Sequence, residues 1–224
     1  MGDDRATVLG AVRKALGRPP GSEGHPADGA AGQRLQRRPI GPQPQIGDDR
    51  IGAFTQQLET AAATWARASA PMEAVQAVQE YLRRAGHDTM IAADHPALRH
   101  LPWPATLQPH FGAPADSGAC GLTLAELGIA ETGSLVLCAS PTTPTLHNFL
   151  PDTLICLLPT DSVFAHLEDA WQWLRRQYAS LPRAVNLVTG PSRTADVEQR
   201  LQLGAHGPRQ LHAVLVDNGL HTRP

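Results

Sequence analysis

The 224-residue chain contains little lysine, few aromatic residues and little net charge. Lys14 is the only lysine, aromatic residues make up 4% of the chain, and the formal net charge is −2. Domains that bind nucleic acid carry a marked basic surplus that neutralises phosphates, so this composition predicts no nucleic-acid partner. With so few aromatic rings, the core must be built mainly from Leu, Val, Ile and Ala.

Cysteine is also scarce, and its spacing argues against a metal centre in this chain. Cys120, Cys138 and Cys156 are too far apart to form a C-x-x-C motif, and each lies in or beside an apolar stretch. Structural zinc sites and iron–sulfur clusters need closely spaced sets of ligands. We interpret the three thiols as small buried hydrophobes and predict that this chain binds no cofactor.

The sequence has no long hydrophobic run. Crossing a bilayer as a helix takes about 20 consecutive apolar residues, and no segment approaches that length. The first ten residues, MGDDRATVLG, lack the basic-then-apolar pattern of a signal peptide. We therefore expect no membrane span and a cytoplasmic location.

Residues 1–45 are predicted to form a short helix followed by a flexible basic linker. Within residues 3–17, Val8, Val12 and Leu16 recur at helical spacing. The rest is rich in Pro, Gly and polar residues without periodicity. Residues 1–45 carry seven basic and four acidic side chains. This arm is either a partner-binding tether or an idle tail.

Residues 46–224 are predicted to form one domain that begins with a helical lead-in over residues 46–85. One apolar stripe predicts a helix from Asp48 onward, and a second predicts a helix that Pro71 opens and that ends before Gly86. The inward positions are Ile51, Phe54, Leu58, Ala61 and Trp65 in the first, and Met72, Val75, Val78 and Leu82 in the second. Residues 95–118 form a Pro-rich loop, which is either a functional lid or poorly ordered.

Strand and helix patterns alternate through the rest of the domain. DTMIAA, SLVLCA, TLICLLP, AVNLVTG and LHAVLV predict strands. LTLAELGIA, a segment that Asp161 or Ser162 caps, and TADVEQRLQLG predict helices. Continuous apolar strands that alternate with amphipathic helices are typical of a largely parallel sheet covered on both faces. The predicted fold is α/β, with three layers and a mostly parallel sheet flanked by helices.

The segment TGPSRTAD joins a predicted strand to a predicted helix and offers groups that bind anions. Gly190, Ser192, Arg193 and Thr194 either form a simple turn with a helix cap or direct backbone amides and a guanidinium at one carboxylate or phosphate. Asp196 follows in the first helical turn and is a further candidate for ligand binding. The segment matches neither common nucleotide-binding loop, so it does not predict nucleotide binding.

Three other connections carry candidate residues. Glu131 precedes a buried strand in AETGS, beside Thr132 and Gly133, where a carboxylate needs a partner or a role. It is either a catalytic group or an acceptor for backbone N–H groups in its own turn. His147 lies in a polar loop between two strands, where open α/β sheets bind ligands, although a lone histidine is more often structural. His206 lies in a Gly-flanked turn before the last strand and is a candidate proton carrier.

Several of these stretches resemble a known family. GIAETGSLVL, NFLPDTLICLLP and LVTGPSRTADVEQRLQLGAHGPRQLHAVLVDNG together resemble the LUD domain, the family of lactate-utilisation protein C, over residues 121–219. The resemblance implies a NagB/RpiA/CoA-transferase-like fold. It also implies a role in oxidising L-lactate to pyruvate beside partner proteins that carry the iron–sulfur clusters. It assigns no role to individual residues.

Three functions remain open from the sequence. The first is a non-redox subunit of a lactate-oxidising iron–sulfur complex, in which strand-end loops bind a small carboxylate or phosphate and Glu131 and His206 are the catalytic candidates. The second is a stand-alone acyl/CoA transferase or isomerase that uses Glu131, an analogy that rests on the fold alone. The third is a scaffold without catalysis that docks through residues 1–45.

Overall fold

The computed structural model describes residues 4–17, 29–116, 118–194, 202–203 and 206–220. The chain divides into two compact units, Met1–Gln43 and Pro44–Pro224. The first unit contains helices α1 (Asp4–Ala15) and α2 (Ala30–Arg37). The second helix lies where the sequence predicts only linker. Its segment AAGQRLQR consists mostly of strong helix formers. The helix was not predicted because the segment is short and the residues around it are rich in Pro and Gly.

The second unit contains the sheets and the remaining helices. In chain order these are α3 (Arg50–Thr60), β1 (Thr64–Ala68), α4 (Pro71–Ala85), β2 (Ile91–Ala92), α5 (Pro96–Arg99), β3 (His110–Phe111), β4 (Cys120–Leu124), β5 (Leu127–Ile129), β6 (Ser134–Cys138), α6 (Thr145–Phe149), β7 (Thr153–Pro159), a 3-10 turn (Thr160–Ser162), β8 (Val163–Phe164), α7 (Leu167–Gln177), β9 (Val185–Val188), β10 (Arg193–Thr194), β11 (Gln202–Leu203) and β12 (Gln210–Val216).

Six strands form the main sheet in the order β1-β12-β7-β4-β2-β3. Every neighbouring pair in it is parallel. The strands β4 and β7 are buried along their whole length, and β12 is buried from its second residue onward. This confirms the predicted α/β class with a mostly parallel sheet.

Alternate residues of the central strands enter two separate cores. On one face, Ile155, Leu157 and Val214 pack with Val75, Val78 and Leu82 of α4. On the other face, Leu154, Leu158 and Leu215 pack with Phe54 and Leu58 of α3. Because successive side chains of a strand point to opposite faces, each face of the sheet is apolar and packs against a helix.

A second sheet, β8-β5-β6-β9, covers part of the α3 face and was not predicted. Leu135 and Leu137 of β6 join the core beneath it, whereas Leu127, Ile129 and Val136 face α7 on the other side. The domain therefore has a further sheet and helix beyond the three predicted layers. The sequence did not indicate this second sheet because LTLAELGIA, which suggested a helix, forms β4 and β5. Pairing with β7 and β6 overrides the helix propensity of Ala, Glu and Leu in that segment.

Other sequence predictions are corrected by the structure. Trp65 lies in β1 rather than on α3, and Met72 is exposed rather than inward. Asp161 and Ser162 do not cap α7, which begins after β8 with His166 at its N-cap. The Pro-rich segment 95–118 contains α5 and β3. Among the described residues, no helix is both long and apolar enough to cross a membrane.

The helix predicted over TADVEQRLQLG is also corrected at its two described ends. Arg193–Thr194 and Gln202–Leu203 pair as the antiparallel strands β10 and β11. Residues 195–201 and 204–205, which include Asp196, lie outside the described residues. Arg193 and Thr194 therefore do not form the helix N-terminus on which the predicted anion site depended.

Candidate functional site

The C-terminal end of α3 is the point at which several predicted site residues meet. The N–H of Ala62 donates to the carbonyl of Glu59 and the N–H of Ala63 donates to that of Leu58, which closes the helix with a reversed turn. Ala62 has a φ of 63°, a left-handed conformation that glycine usually occupies in this motif. The chain then enters β1 at the amino-terminal edge of the main sheet.

The glycines of AETGS and TGPSR both pack against this helix end. Gly133 has a φ of +66°, and a Cβ on it would lie 2.7 Å from the backbone nitrogen of Leu58. Gly190 has a φ of +74°, and a Cβ on it would lie 2.3 Å from the carbonyl oxygen of Ala61. Both positions need glycine for its backbone conformation and for the close approach of two backbones. Glycine thus has a packing role in each of the two predicted site motifs.

A chain of hydroxyl groups connects the same two loops. Thr132 Oγ1 lies 2.7 Å from Ser134 Oγ, which lies 2.5 Å from Thr189 Oγ1. Ser134 is buried, whereas Thr132 and Thr189 are exposed, so these contacts satisfy the one hydroxyl that water reaches poorly. Thr132 therefore contributes to a polar link between β6 and the turn that follows β9.

The structure joins the turn at Gly190 to the turn at His206. The N–H of Ser192 donates to the carbonyl of Pro208 at 2.8 Å. His206 is exposed, and so is Arg193, whose guanidinium donates to the carbonyl of Ala61 at 3.4 Å. Arg193 is therefore close to the end of α3, and it forms no ion pair with any residue that the structure describes. For Thr194 only the backbone, in β10, is described.

Beside these two turns lies a cavity of about 350 Å³ between the end of α4 and the amino-terminal edge of β1 and β12. Its lining combines two guanidinium groups, three other polar side chains and an apolar wall. The lining residues are Ala62, Thr64, Tyr81, Arg84, Ala85, Pro191, Arg209, Gln210 and Leu211. Pro191 belongs to the predicted turn, so the cavity and that turn share a wall.

A buried histidine contacts two of the residues that line this cavity, Tyr81 and Thr64. The ring of His212 stacks on that of Tyr81 with centroids 4.0 Å apart, and its Nδ1 lies 2.8 Å from Thr64 Oγ1. Burial, together with a smaller effect of the nearby charge of Arg84, lowers the pKa of His212 to about 4. Burial likewise raises the pKa of Tyr81 to about 12. His212 is therefore neutral at physiological pH, and no described residue forms a hydrogen bond with its buried Nε2.

Glu131 lies at the amino terminus of α7. Its carboxylate accepts the N–H of Leu167 at 2.8 Å, and its other oxygen lies 3.1 Å from Nδ1 of His166. The Glu131 side chain is only 12% exposed. A carboxylate at this position satisfies a free helix N–H and interacts favourably with the helix dipole. Its contacts are those of a helix cap supplied by a distant segment, and none of them involves His206 in the described structure.

We expect Glu131→Ala to lower the free energy of unfolding by about 1–2 kcal/mol, because the N–H of Leu167 and the ring of His166 lose their shared acceptor. Glu131→Gln keeps an oxygen that accepts the Leu167 N–H and should cost less than half as much. Urea denaturation of the three proteins measures the difference. Equal stability of the wild type and the alanine variant would show that Glu131 is not a structural cap.

His147 lies on α6 and is fully buried. Its Nε2 lies 3.0 Å from the carbonyl oxygen of Ile91, and burial lowers its pKa, an effect that nearby backbone carbonyls oppose. The structure thus places His147 inside the core near β2, and none of its described hydrogen bonds involves Ser192, Arg193 or His206.

The three cysteines are free and buried. Burial raises the pKa of Cys120 to about 12 and also raises that of Cys156. Burial, together with the nearby charge of Glu126, raises the pKa of Cys138 to about 12 as well. No group of three or more His, Cys, Asp or Glu side chains among the described residues has the arrangement of a metal site.

The sequence interpretation missed the arginines of the cavity and the partner of Glu131. In the sequence Arg84 is one of two adjacent arginines just before Gly86, at the end of a predicted helix, where basic residues are common, and Arg209 follows Pro208 without a motif of its own. A signal existed for Arg209, because it lies within LGAHGPRQLH. No signal placed His166 beside Glu131, since 35 residues separate them.

The fold and the site define a parallel α/β protein with an arginine-lined cavity at the amino-terminal edge of its main sheet. Residues 51–216 match the family model of the LUD domain. Because this match spans most of the chain, the protein belongs to the LUD domain family. The resemblance read from the sequence is thereby confirmed.

Three relatives illustrate what the chain is similar to. It is 27% identical to lactate utilization protein C of Geobacillus thermodenitrificans over 190 residues, which are 75% of this chain and 79% of that protein. It is 33% identical to lactate utilization protein C of Bacillus subtilis over 107 residues, 46% of this chain and 45% of the relative. It is 36% identical to an uncharacterized protein of Neisseria meningitidis serogroup B over 106 residues, 47% of this chain and 44% of that relative. In the last two comparisons the chain spans less than half of the relative's length.

One solved structure supports the fold. The crystal structure of a DUF162 family protein from Deinococcus radiodurans superposes with a TM-score of 0.55 at 19% identity. The superposition covers 77% of this chain and 99% of that one. At this identity the likeness shows the fold alone.

Proposed function

We propose that this chain is a cytoplasmic lactate-utilisation protein. In this proposal it is a non-redox subunit of a complex that oxidises L-lactate to pyruvate, and partner proteins hold the iron–sulfur clusters. The observation that carries the proposal is the alignment with lactate utilization protein C of Geobacillus thermodenitrificans, which extends over about three quarters of both chains. The three separate, buried cysteines support the assignment of the clusters to partners.

The proposed contribution of this chain is a pocket for a small carboxylate or phosphate at the joined turns. Ser192 and Arg193 lie in the first turn and His206 in the second, and the hydrogen bond from Ser192 to Pro208 holds the turns together. The exposed guanidinium of Arg193 supplies positive charge, and the exposed imidazole of His206 adds a side chain that can donate a hydrogen bond to an oxyanion. Gly190 lets this turn approach the end of α3 closely enough for Arg193 to reach it.

A growth experiment tests both parts of the proposal. We expect deletion of the gene to abolish growth on L-lactate but not on succinate, and the wild-type gene to restore it. The variant Arg193→Ala should restore growth poorly, because an oxyanion loses its charged partner. Arg176→Ala, which removes an exposed arginine at the end of α7, is the matched control and should restore growth fully.

The outcomes distinguish the role of the chain in lactate utilisation from the role of Arg193 in the pocket. Undiminished growth of the deletion strain on lactate would contradict a role in lactate utilisation. Full restoration by Arg193→Ala, with protein levels equal by immunoblot, would remove Arg193 from the pocket and leave the pathway assignment standing.

A further inference from the structure

We propose that the cavity between α4 and the amino-terminal edge of β1 and β12 binds an organic anion, with its phosphate or carboxylate head at Arg84 and Arg209 and an apolar part against Pro191 and Leu211. This cavity lies beside the anion pocket of the proposed function, shares Pro191 of the first turn with it, and depends on that proposal only for its place in lactate utilisation. The binding site itself depends on the geometry of the cavity.

The charge around the cavity favours an anion. Glu80 is shared by Arg83 and Arg84, and Arg209 pairs with Asp152 at 3.5 Å. Among the described groups, three guanidinium groups, of which Arg83 lies just outside the cavity, face two carboxylates, which leaves one positive charge in surplus. The C-terminal end of α4 carries a partial negative charge of only about half a unit, so it does not cancel that surplus.

Both cavity arginines are free to reorient toward a ligand. The side chain of Arg84 is 72% exposed and that of Arg209 is 62% exposed. Exposed ion pairs of this kind contribute about 0–1 kcal/mol, so an incoming oxyanion can replace their present partners at little cost. Guanidinium groups bind carboxylate and phosphate through paired hydrogen bonds, which suits either head group.

The walls and the volume indicate that the ligand is more than a bare anion. Ala62, Ala85, Pro191 and Leu211 supply apolar surface, and about 350 Å³ falls within the range of pockets that enclose small organic molecules. Tyr81 and Gln210 add polar groups and are already oriented, since the Tyr81 hydroxyl donates to Gln210 Oε1 at 3.3 Å. A three-carbon acid would leave much of this volume unfilled.

The cavity is also built on rigid parts of the fold. Tyr81 is fixed by its stacking on His212, and Thr64 contacts the ring of that same histidine. Ala62 is held in a left-handed conformation by the closure of α3. Binding sites on such preorganised elements lose little conformational entropy when a ligand enters.

Binding of simple probes to the full chain tests the inference. Isothermal titration would compare phenyl phosphate, benzoate, inorganic phosphate and L-lactate, with benzyl alcohol as the uncharged control. We expect phenyl phosphate or benzoate to bind more tightly than inorganic phosphate and L-lactate, and benzyl alcohol not to bind. Whichever of the two aromatic anions binds more tightly identifies the preferred head group.

Variants locate the binding. The double variant Arg84→Gln/Arg209→Gln should weaken the better aromatic anion at least roughly tenfold, the size of one lost charged contact of about 1.4 kcal/mol. Ala85→Glu, which adds a negative charge to the wall, should weaken it similarly. Arg99→Gln is the matched control, because Arg99 is also exposed and paired with an aspartate but lies outside the cavity, and it should leave the affinity unchanged.

Two results would overturn the inference: no saturable binding of either aromatic anion, or equal affinity in the wild type and in both cavity variants. Thermal unfolding confirms that each variant is folded. Lactate-dependent growth separates this inference from the proposed function. If the cavity variants lose anion binding but support normal growth on lactate, the binding site is supported and has no role in lactate utilisation. If the wild-type chain binds neither aromatic anion but growth on lactate still requires the gene, only the proposed binding site is overturned.

Discussion

Gly190→Ala is expected to lower the free energy of unfolding by roughly 2–5 kcal/mol, which corresponds to a fall of about 10 °C in Tm for a domain of this size. The residue has a φ of +74°, where an L side chain costs about 1–2 kcal/mol. In addition, the new Cβ would lie 2.3 Å from the carbonyl oxygen of Ala61. Because the obstacle is backbone, neither side can move without disturbing the end of α3.

Gly86→Ala is the matched control for this prediction. Gly86 has nearly the same backbone conformation, with a φ of +75°, but nothing lies within 4 Å of the position of its Cβ. It therefore reports the conformational cost alone, about 1–2 kcal/mol. Urea denaturation of both variants separates strain from collision. Equal losses in the two proteins would show that Gly190 does not pack against Ala61 as the structure has it.

Acid is expected to destabilise the protein through His212. The folded-state pKa of about 4 lies below the ordinary value of 6.5, so between these two pH values the unfolded chain binds a proton that the folded chain does not. Stability is therefore greatest above about pH 6.5 and is lost as the pH falls toward 4, by as much as about 3 kcal/mol from this residue. The lowered pKa of His147 acts in the same direction.

His212→Asn removes the titrating group and keeps a polar atom close to Thr64. We expect this variant to be less stable at pH 7, because it loses the stacking on Tyr81, but to lose less further stability between pH 6.5 and 4. Denaturation midpoints measured across that range give the slopes. His100→Asn changes an exposed histidine and serves as the control, with a wild-type slope. A His212→Asn slope identical to that of the wild type would contradict a neutral, buried His212.

The main sheet could be predicted from the sequence because its central strands are buried on both faces and therefore form continuous apolar runs. TLICLLP and LHAVLV are continuous apolar runs, and they became β7 and β12 at the centre of the sheet. The second sheet was not readable in the same way. Its strands β5 and β8 have only three and two residues, which is too short for a period to emerge. Their pairing depends on the tertiary packing of α7 and α3 around them.

The candidate site was predicted only in part, and the reason is sequence separation. Gly190, Ser192 and Arg193 belong to one visible motif. In contrast, the cavity combines Arg84 from the end of α4 with Arg209 from the start of β12, which no local pattern connects. Glu131 shows the converse, since its carboxylate finds its partners 35 and 36 residues further along the chain. The sequence motif therefore indicated where the backbone is constrained. The charged residues of the cavity come together only because the fold brings α4 and β12 side by side.

The position of β12 has a consequence for how the domain is made. This strand is the last of the sheet in the chain but lies between β1 and β7, and β1 pairs only with it among the described strands. Roughly 150 residues must therefore leave the ribosome before the first strand finds its neighbour, and such distant pairing is slow to form. Until then β1 keeps an open edge, which makes early chaperone contact and sensitivity to aggregation expected features of its biogenesis.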